Sequence, residues 1–84
     1  MNEILTTKYY KLLEIVFENL LVIDEEECCT LTQAELSKLL GTSRLVTNKI
    51  IKELVSIGYI IRKRKSRIQL SNTAYNIIDK TRFL

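Results

Sequence analysis

The sequence predicts a mainly α domain with a small β-hairpin, in the order helix, short strand, helix, tight turn, helix, hairpin, helix. Three observations carry this. Gly41 and Gly58 are the only glycines in a chain of 84 residues without proline, and each closes a stretch whose apolar residues recur at helical spacing. Thr32 stands three residues before Glu35, and Ser43 stands just after Gly41, so two helix starts follow one another closely. Residues 59–63 and 67–70 are strand-like and flank the polar turn Arg64, Lys65, Ser66, so they read as a hairpin.

Each element has its own warrant. Residues 4–22 read as the first helix, because Tyr9, Leu12, Leu13, Val16 and Leu20 fall on one stripe. Leu5, Ile15, Phe17 and Val22 widen that stripe beyond what one-sided packing needs. The carboxylates of residues 24–27 oppose the negative end of a helix, so the helix stops before them and the run is read as a solvated loop. Residues 28–31 form a brief strand that starts with two small, buried thiols, Cys28 and Cys29. The Thr32/Glu35 capping box opens a second helix that runs to Leu40, buries Leu36, Leu39 and Leu40, and ends at a left-handed Gly41. Ser43 caps a third helix to about residue 57, closed by Gly58. Ser71 or Asn72 caps a final helix to about residue 82 with Ala74, Tyr75 and Ile78 inward. One domain thus fills residues 1–84, with the first helix in 1–23, two helices and their turn in 32–57, the hairpin in 59–70 and the last helix in 71–82.

Composition narrows function. The apolar fraction is 46%, enough for one modest core. The absence of histidine excludes an imidazole acid or base, a His-ligated metal and Ser-His or Cys-His nucleophile pairs. The adjacent cysteines match no zinc spacing and rarely bond to each other. No cofactor or small-molecule effector follows from the sequence, and an enzyme is disfavoured. No apolar run approaches a membrane span, and Met1-Asn2-Glu3 lacks the basic start of an export signal, so a cytoplasmic location is expected. The net charge of +3 conceals an asymmetry: residues 1–42 sum to −5 and residues 43–84 to +8. A polyanion is the expected partner, and nucleic acid is the commonest one in the cytoplasm.

Two short helices joined by a glycine turn leave the second free to enter a groove. On that third helix Thr47, Ile50, Ile51 and Leu54 share the core side, and Arg44, Leu45, Asn48, Lys49 and Lys52 share the other. Arg44 suits guanine and Asn48 suits adenine, while Lys49 and Lys52 suit phosphates. The hairpin adds Arg62, Lys63, Arg64, Lys65 and Arg67, crowded so closely that their repulsion calls for an anion. With Ser43 at the helix start, these eleven residues are the expected contacts to double-stranded DNA.

Residues 31–54, from Leu31-Thr32-Gln33-Ala34-Glu35-Leu36 through Leu40-Gly41-Thr42-Ser43-Arg44 to Ile50-Ile51-Lys52-Glu53-Leu54, resemble the helix-turn-helix of the cyclic-AMP receptor and fumarate-nitrate regulator family. The match continues without a gap to Gly58 and Ile60. The hairpin followed by Leu70-Ser71 and a helix is also similar to the multiple-antibiotic-resistance-repressor family. The resemblance covers roughly residues 30–71. Both families imply a winged helix-turn-helix fold and a transcription regulator, with the hairpin as the wing. Leu45 departs from the first family, which often carries a charged base-reading residue there, and is left to meet a thymine methyl. The competing expectation is a winged helix used in replication, partition or protein contact. Finally, Ile4, Leu5, Ile15, Phe17, Val22, Phe83 and Leu84 lack obvious core partners, so a homodimer through the first and final helices is expected.

Overall fold

A computed structural model describes residues 7–64 and 67–82. Helix α1, Lys8–Glu18, starts at Thr7, whose Oγ1 accepts the Tyr9 N–H at 3.2 Å. It buries Leu12, Leu13, Ile15 and Val16. Phe17 packs on the core and meets the Tyr75 ring at 5.1 Å between centroids. Ile15 and Phe17 therefore have partners inside the monomer, against the expectation that they lack them.

The helix ends earlier than the periodicity predicts. Asn19 turns back on it, donating its side-chain amide to the Ile15 carbonyl at 2.8 Å and its backbone N–H to Val16. The next residues form strand β1, Leu20–Ile23, instead of a last helical turn. Four consecutive apolar residues cannot share one helical stripe, and the β-branched pair Val22 and Ile23 favours extended backbone. Strand β2, Glu26–Cys29, pairs with β1 in antiparallel register from Leu20 opposite Cys29 to Ile23 opposite Glu26. Asp24 and Glu25 are left as a two-residue turn with φ of +52° and +67°, the backbone of a primed hairpin turn. The acidic run is thus half turn and half strand, not a loop. Cys28 and Cys29 are buried as expected, but they close a strand rather than open one.

Helix α2, Gln33–Leu40, and helix α3, Arg44–Ser56, follow, then strands β3, Ile60–Arg64, and β4, Arg67–Leu70, and helix α4, Asn72–Arg82. The strands make one antiparallel sheet in the order β1-β2-β4-β3, with Cys29 opposite Ile68 joining the two hairpins. Within α2 the buried residues are Leu36, Ser37 and Leu40, whereas Leu39, expected in the core, is half exposed. At about 100° per residue Leu39 lies well off the stripe that the other three share.

One core joins all of this. Leu12, Leu13 and Val16 of α1, Leu36 of α2, Ile51 and Leu54 of α3, Ile60 of β3, Ile68 of β4, and Ala74 and Ile78 of α4 enclose it. Ser71 Oγ accepts the Ala74 N–H at 3.2 Å and so opens α4. The architecture is a winged helix-turn-helix, mainly α, with a second hairpin ahead of it.

Candidate nucleic-acid interface

Local chemistry sets both ends of the helix-turn-helix. The Thr32 hydroxyl accepts the Glu35 N–H at 3.1 Å, and the Glu35 carboxylate accepts the Thr32 N–H at 2.8 Å. At the far end Gly41 adopts φ +77°, and the N–H groups of Gly41 and Thr42 both reach the Ser37 carbonyl. No atom lies within 4 Å of where a Cβ on Gly41 would stand, so left-handed backbone alone makes glycine the favoured residue there. Ser43 Oγ then accepts the Val46 N–H at 3.1 Å and starts α3. This hydroxyl, expected to contact DNA, has a structural use as a cap.

Helix α3 closes on a Schellman motif. Tyr59 N–H reaches the Leu54 carbonyl at 2.9 Å and Gly58 N–H the Val55 carbonyl at 3.1 Å, with Gly58 at φ +83°. Its inward side carries Thr47, Ile50, Ile51 and Leu54, all buried as expected, and the Thr47 hydroxyl is satisfied by the Ser43 carbonyl at 2.9 Å.

Two side-chain bonds tie α3 to other helices, and neither was expected. Tyr9 of α1 donates its hydroxyl to the Glu53 carboxylate. That hydrogen bond, reinforced by burial and by the nearby negative charge, raises the Tyr9 pKa above the ordinary tyrosine value. Gln33 of α2 donates to Asn48 Oδ1 at 2.9 Å. Tyr9→Phe should cost about 1 kcal/mol of stability, because a half-buried bond to a charged acceptor is partly screened. A raised folded-state pKa means that this contribution is complete below the unfolded value of about 10 and is lost as pH climbs through the folded one. Denaturant melts at neutral and alkaline pH check this: the natural chain should lose stability above about pH 10 more steeply than the variant.

The outward side of α3 gathers the residues expected there. Arg44, Lys49 and Lys52 are exposed, and Leu45 is 83% exposed. Leu45, Val46, Asn48, Lys49 and Lys52 line an open depression of about 330 Å³. Val46, 41% exposed, was not singled out by sequence reasoning, although a valine beside an outward leucine is a visible signal. Asn48 departs from expectation, being only partly exposed with its amide oxygen engaged by Gln33.

On the wing, Arg62 and Lys63 are exposed and Arg67 is half-buried. The register shifts between Arg62 and Arg64, so the basic residues do not follow a regular alternation. Lys65 and the Arg64 side chain lie outside the described residues. Two cations have internal partners: Lys63 Nζ lies 3.8 Å from Glu26 Oε2, and Arg67 Nη1 lies 3.5 Å from Asp24 Oδ2. The crowding that called for an outside anion is thus relieved in part from within.

Both cysteines are free thiols. Burial pushes the Cys29 thiol up, and the Glu35 charge adds to this, while a hydrogen bond from the Leu31 backbone acts the other way. A protonated, buried thiol is a poor nucleophile. Among the described residues, no three His, Cys, Asp or Glu side chains converge as metal ligands. Nor is any helix among them long and apolar enough to cross a membrane.

Residues 11–75 match the model of the Crp-like helix-turn-helix domain. Two solved structures superpose well. One is the reduced, Fe(II) CO-sensing protein from R. rubrum, with a TM-score of 0.73 and 16% identity over 88% of this chain. The other is a CRP/FNR-family transcriptional regulator from Thermus thermophilus, with a TM-score of 0.66 and 23% identity over 87% of this chain. At these identities the likeness is one of fold, and the chain spans 38% of the length of each. No curated protein matches in sequence. The match over 11–75 takes in most of α1, all of α2, the turn, the outward face of α3 and the wing, and by it the chain belongs to the Crp-like helix-turn-helix domain family.

Proposed function

We propose that this chain is the sequence-specific, duplex-DNA-binding domain of a transcription regulator, with α3 in the major groove and the β3–β4 wing on the phosphate backbone. The observation that carries the reading is the outward face of α3. An exposed helix face with two lysines lining an apolar depression and an exposed Arg44 at the helix start, at the second helix of a glycine-turned pair, is built for a polyanion with methyl-bearing bases. In this reading Arg44 reads guanine, Leu45 and Val46 meet thymine methyls, and Lys49 and Lys52 take phosphates. Ser43 serves the interface as the cap that fixes the start of α3.

Asn48 reads differently from the sequence expectation. With Oδ1 held by Gln33, its free amide protons favour a base acceptor over the paired donor and acceptor of adenine. Gln33 is then a positioning residue, and the Gln33–Asn48 couple acts as one unit.

Selection of bound sites from a random duplex library tests the whole reading. Arg44→Ala should cost about 1–3 kcal/mol at a single base position and relax preference there. Lys52→Ala should weaken all sequences about equally. An Arg44→Ala protein that selects the same sites with the same affinity would overturn α3 as the reader.

A homodimer fits such a role, since two half-sites multiply specificity. Its apolar support shifts with the fold. Ile15 is buried and Phe17 packed, while Ile4, Leu5, Phe83 and Leu84 lie outside the described residues. What remains on show is Val22, 74% exposed, beside Leu21 on the edge strand β1.

A further inference from the structure

The acidic run at residues 24–27 has no place in the DNA-binding reading, yet the fold delivers two of its carboxylates to the wing. Asp24 sits in the β1–β2 turn and Glu26 begins β2, and they meet Arg67 and Lys63 at 3.5 and 3.8 Å. The turn that presents them has Asp24 and Glu25 both at positive φ, a backbone that aspartate tolerates and glutamate adopts at a cost. The hairpin is therefore held in a costly shape at the point where it faces the basic hairpin. A carboxylate paired with Lys or Arg presents the same kind of anionic oxygen as a DNA phosphate, here at ion-pair rather than hydrogen-bond distance.

We propose that the β1–β2 hairpin is an internal phosphate mimic, which occupies Lys63 and Arg67 in the free domain and is displaced from them by the DNA backbone. The proposal rests on the reading of β3–β4 as a DNA-contacting wing. The exposure of the partners gives the pairs their character. The side chains of Lys63 and Glu26 are 46% and 54% exposed, and that of Asp24 is 83% exposed. Pairs this wet are weak, so DNA can break them, but each one broken reduces the net gain of the phosphate contact that replaces it. The hairpin thereby sets a threshold: sites that engage the wing fully overcome it, and loosely held DNA does not.

Charge alone would strengthen DNA binding whenever any carboxylate is removed, so the test uses a matched control. Asp24→Asn with Glu26→Gln removes the two paired carboxylates. Glu25→Gln with Glu27→Gln removes the same charge from the same run while leaving both ion pairs in place. Affinity for a random-sequence duplex is measured at low salt by fluorescence anisotropy, with circular dichroism to confirm folding. The first variant should bind about threefold to tenfold more tightly than the second, and the gap should close as salt rises. Equal gains in the two variants, or weaker binding by the first, would overturn the mimic. A third protein, Arg62→Ala with Lys63→Ala and Arg67→Ala, separates the two levels. If it binds as tightly as the natural chain, the wing reading falls and the mimic with it; if it binds more weakly, a failure in the matched pair belongs to the mimic alone.

Discussion

Raising salt from about 50 to 200 mM should weaken duplex binding roughly 10²- to 10⁴-fold, the loss expected when four to seven cations displace counterions from DNA. The candidates are Arg44, Lys49 and Lys52 on α3 and Arg62, Lys63 and Arg67 on the wing, with Arg64 at the end of β3 and Lys65 next to it in sequence. On a plot of log K against log[salt] this is a slope of about −4 to −6. The net charge of +3 alone would not suggest so steep a response. It arises because the carboxylates are concentrated in residues 1–42 and the cations in residues 43–84. Anisotropy titrations at four or five salt concentrations measure it directly. A slope near zero would refute the electrostatic footing of the proposed interface, whatever its sequence preference.

The largest effect on stability should come from Leu54→Ala. Leu54 is fully buried at the C-terminal end of the inward stripe of α3, and its carbonyl receives the Tyr59 N–H that leads into β3. Truncation removes buried methyl groups and leaves a cavity between rigid helices, at a cost of about 3–5 kcal/mol. A domain of this size has total stability on the order of 5–10 kcal/mol, so the variant should be near its unfolding midpoint under mild conditions. Urea melts provide the check. Leu45→Ala, nine residues back on the same helix, makes the contrast. Its side chain is 83% exposed, so stability should change by no more than about 0.5 kcal/mol while DNA preference changes. A Leu54→Ala protein as stable as the natural chain would contradict the core described above.

What the sequence revealed and what it hid divide along a physical line. The capping box at Thr32 and Glu35, the Ser43 cap and the two left-handed glycines involve groups within a few residues of each other, and all were legible. So was the inward stripe of α3, because helical periodicity is local. Strand β1 was not, since Leu20–Ile23 becomes a strand only by pairing with Glu26–Cys29 through a turn that contains no glycine. The side-chain bonds Tyr9–Glu53 and Gln33–Asn48, and the two ion pairs from the acidic run to the wing, join residues far apart in the chain. Nothing in residue type alone assigns such partners. Leu39 was misplaced for a smaller reason: three leucines in α2 were all counted as inward, when the short helix has room for two.

The bonds from Tyr9 and Gln33 have a consequence for how α3 can move. Taking the buried stripe of Thr47, Ile50, Ile51 and Leu54 as the underside of the helix, Asn48 projects to one flank and Glu53 to the other, at about 100° per residue. Each flank is fastened to a different neighbour, one to α2 and one to α1. A helix seated on greasy contacts alone can roll a few degrees about its long axis at little cost, because such contacts have no direction. Hydrogen bonds on opposite flanks oppose rolling either way. The helix face that carries Leu45, Lys49 and Lys52 is thereby oriented before any partner arrives, and that part of the ordering entropy is spent in folding rather than in binding.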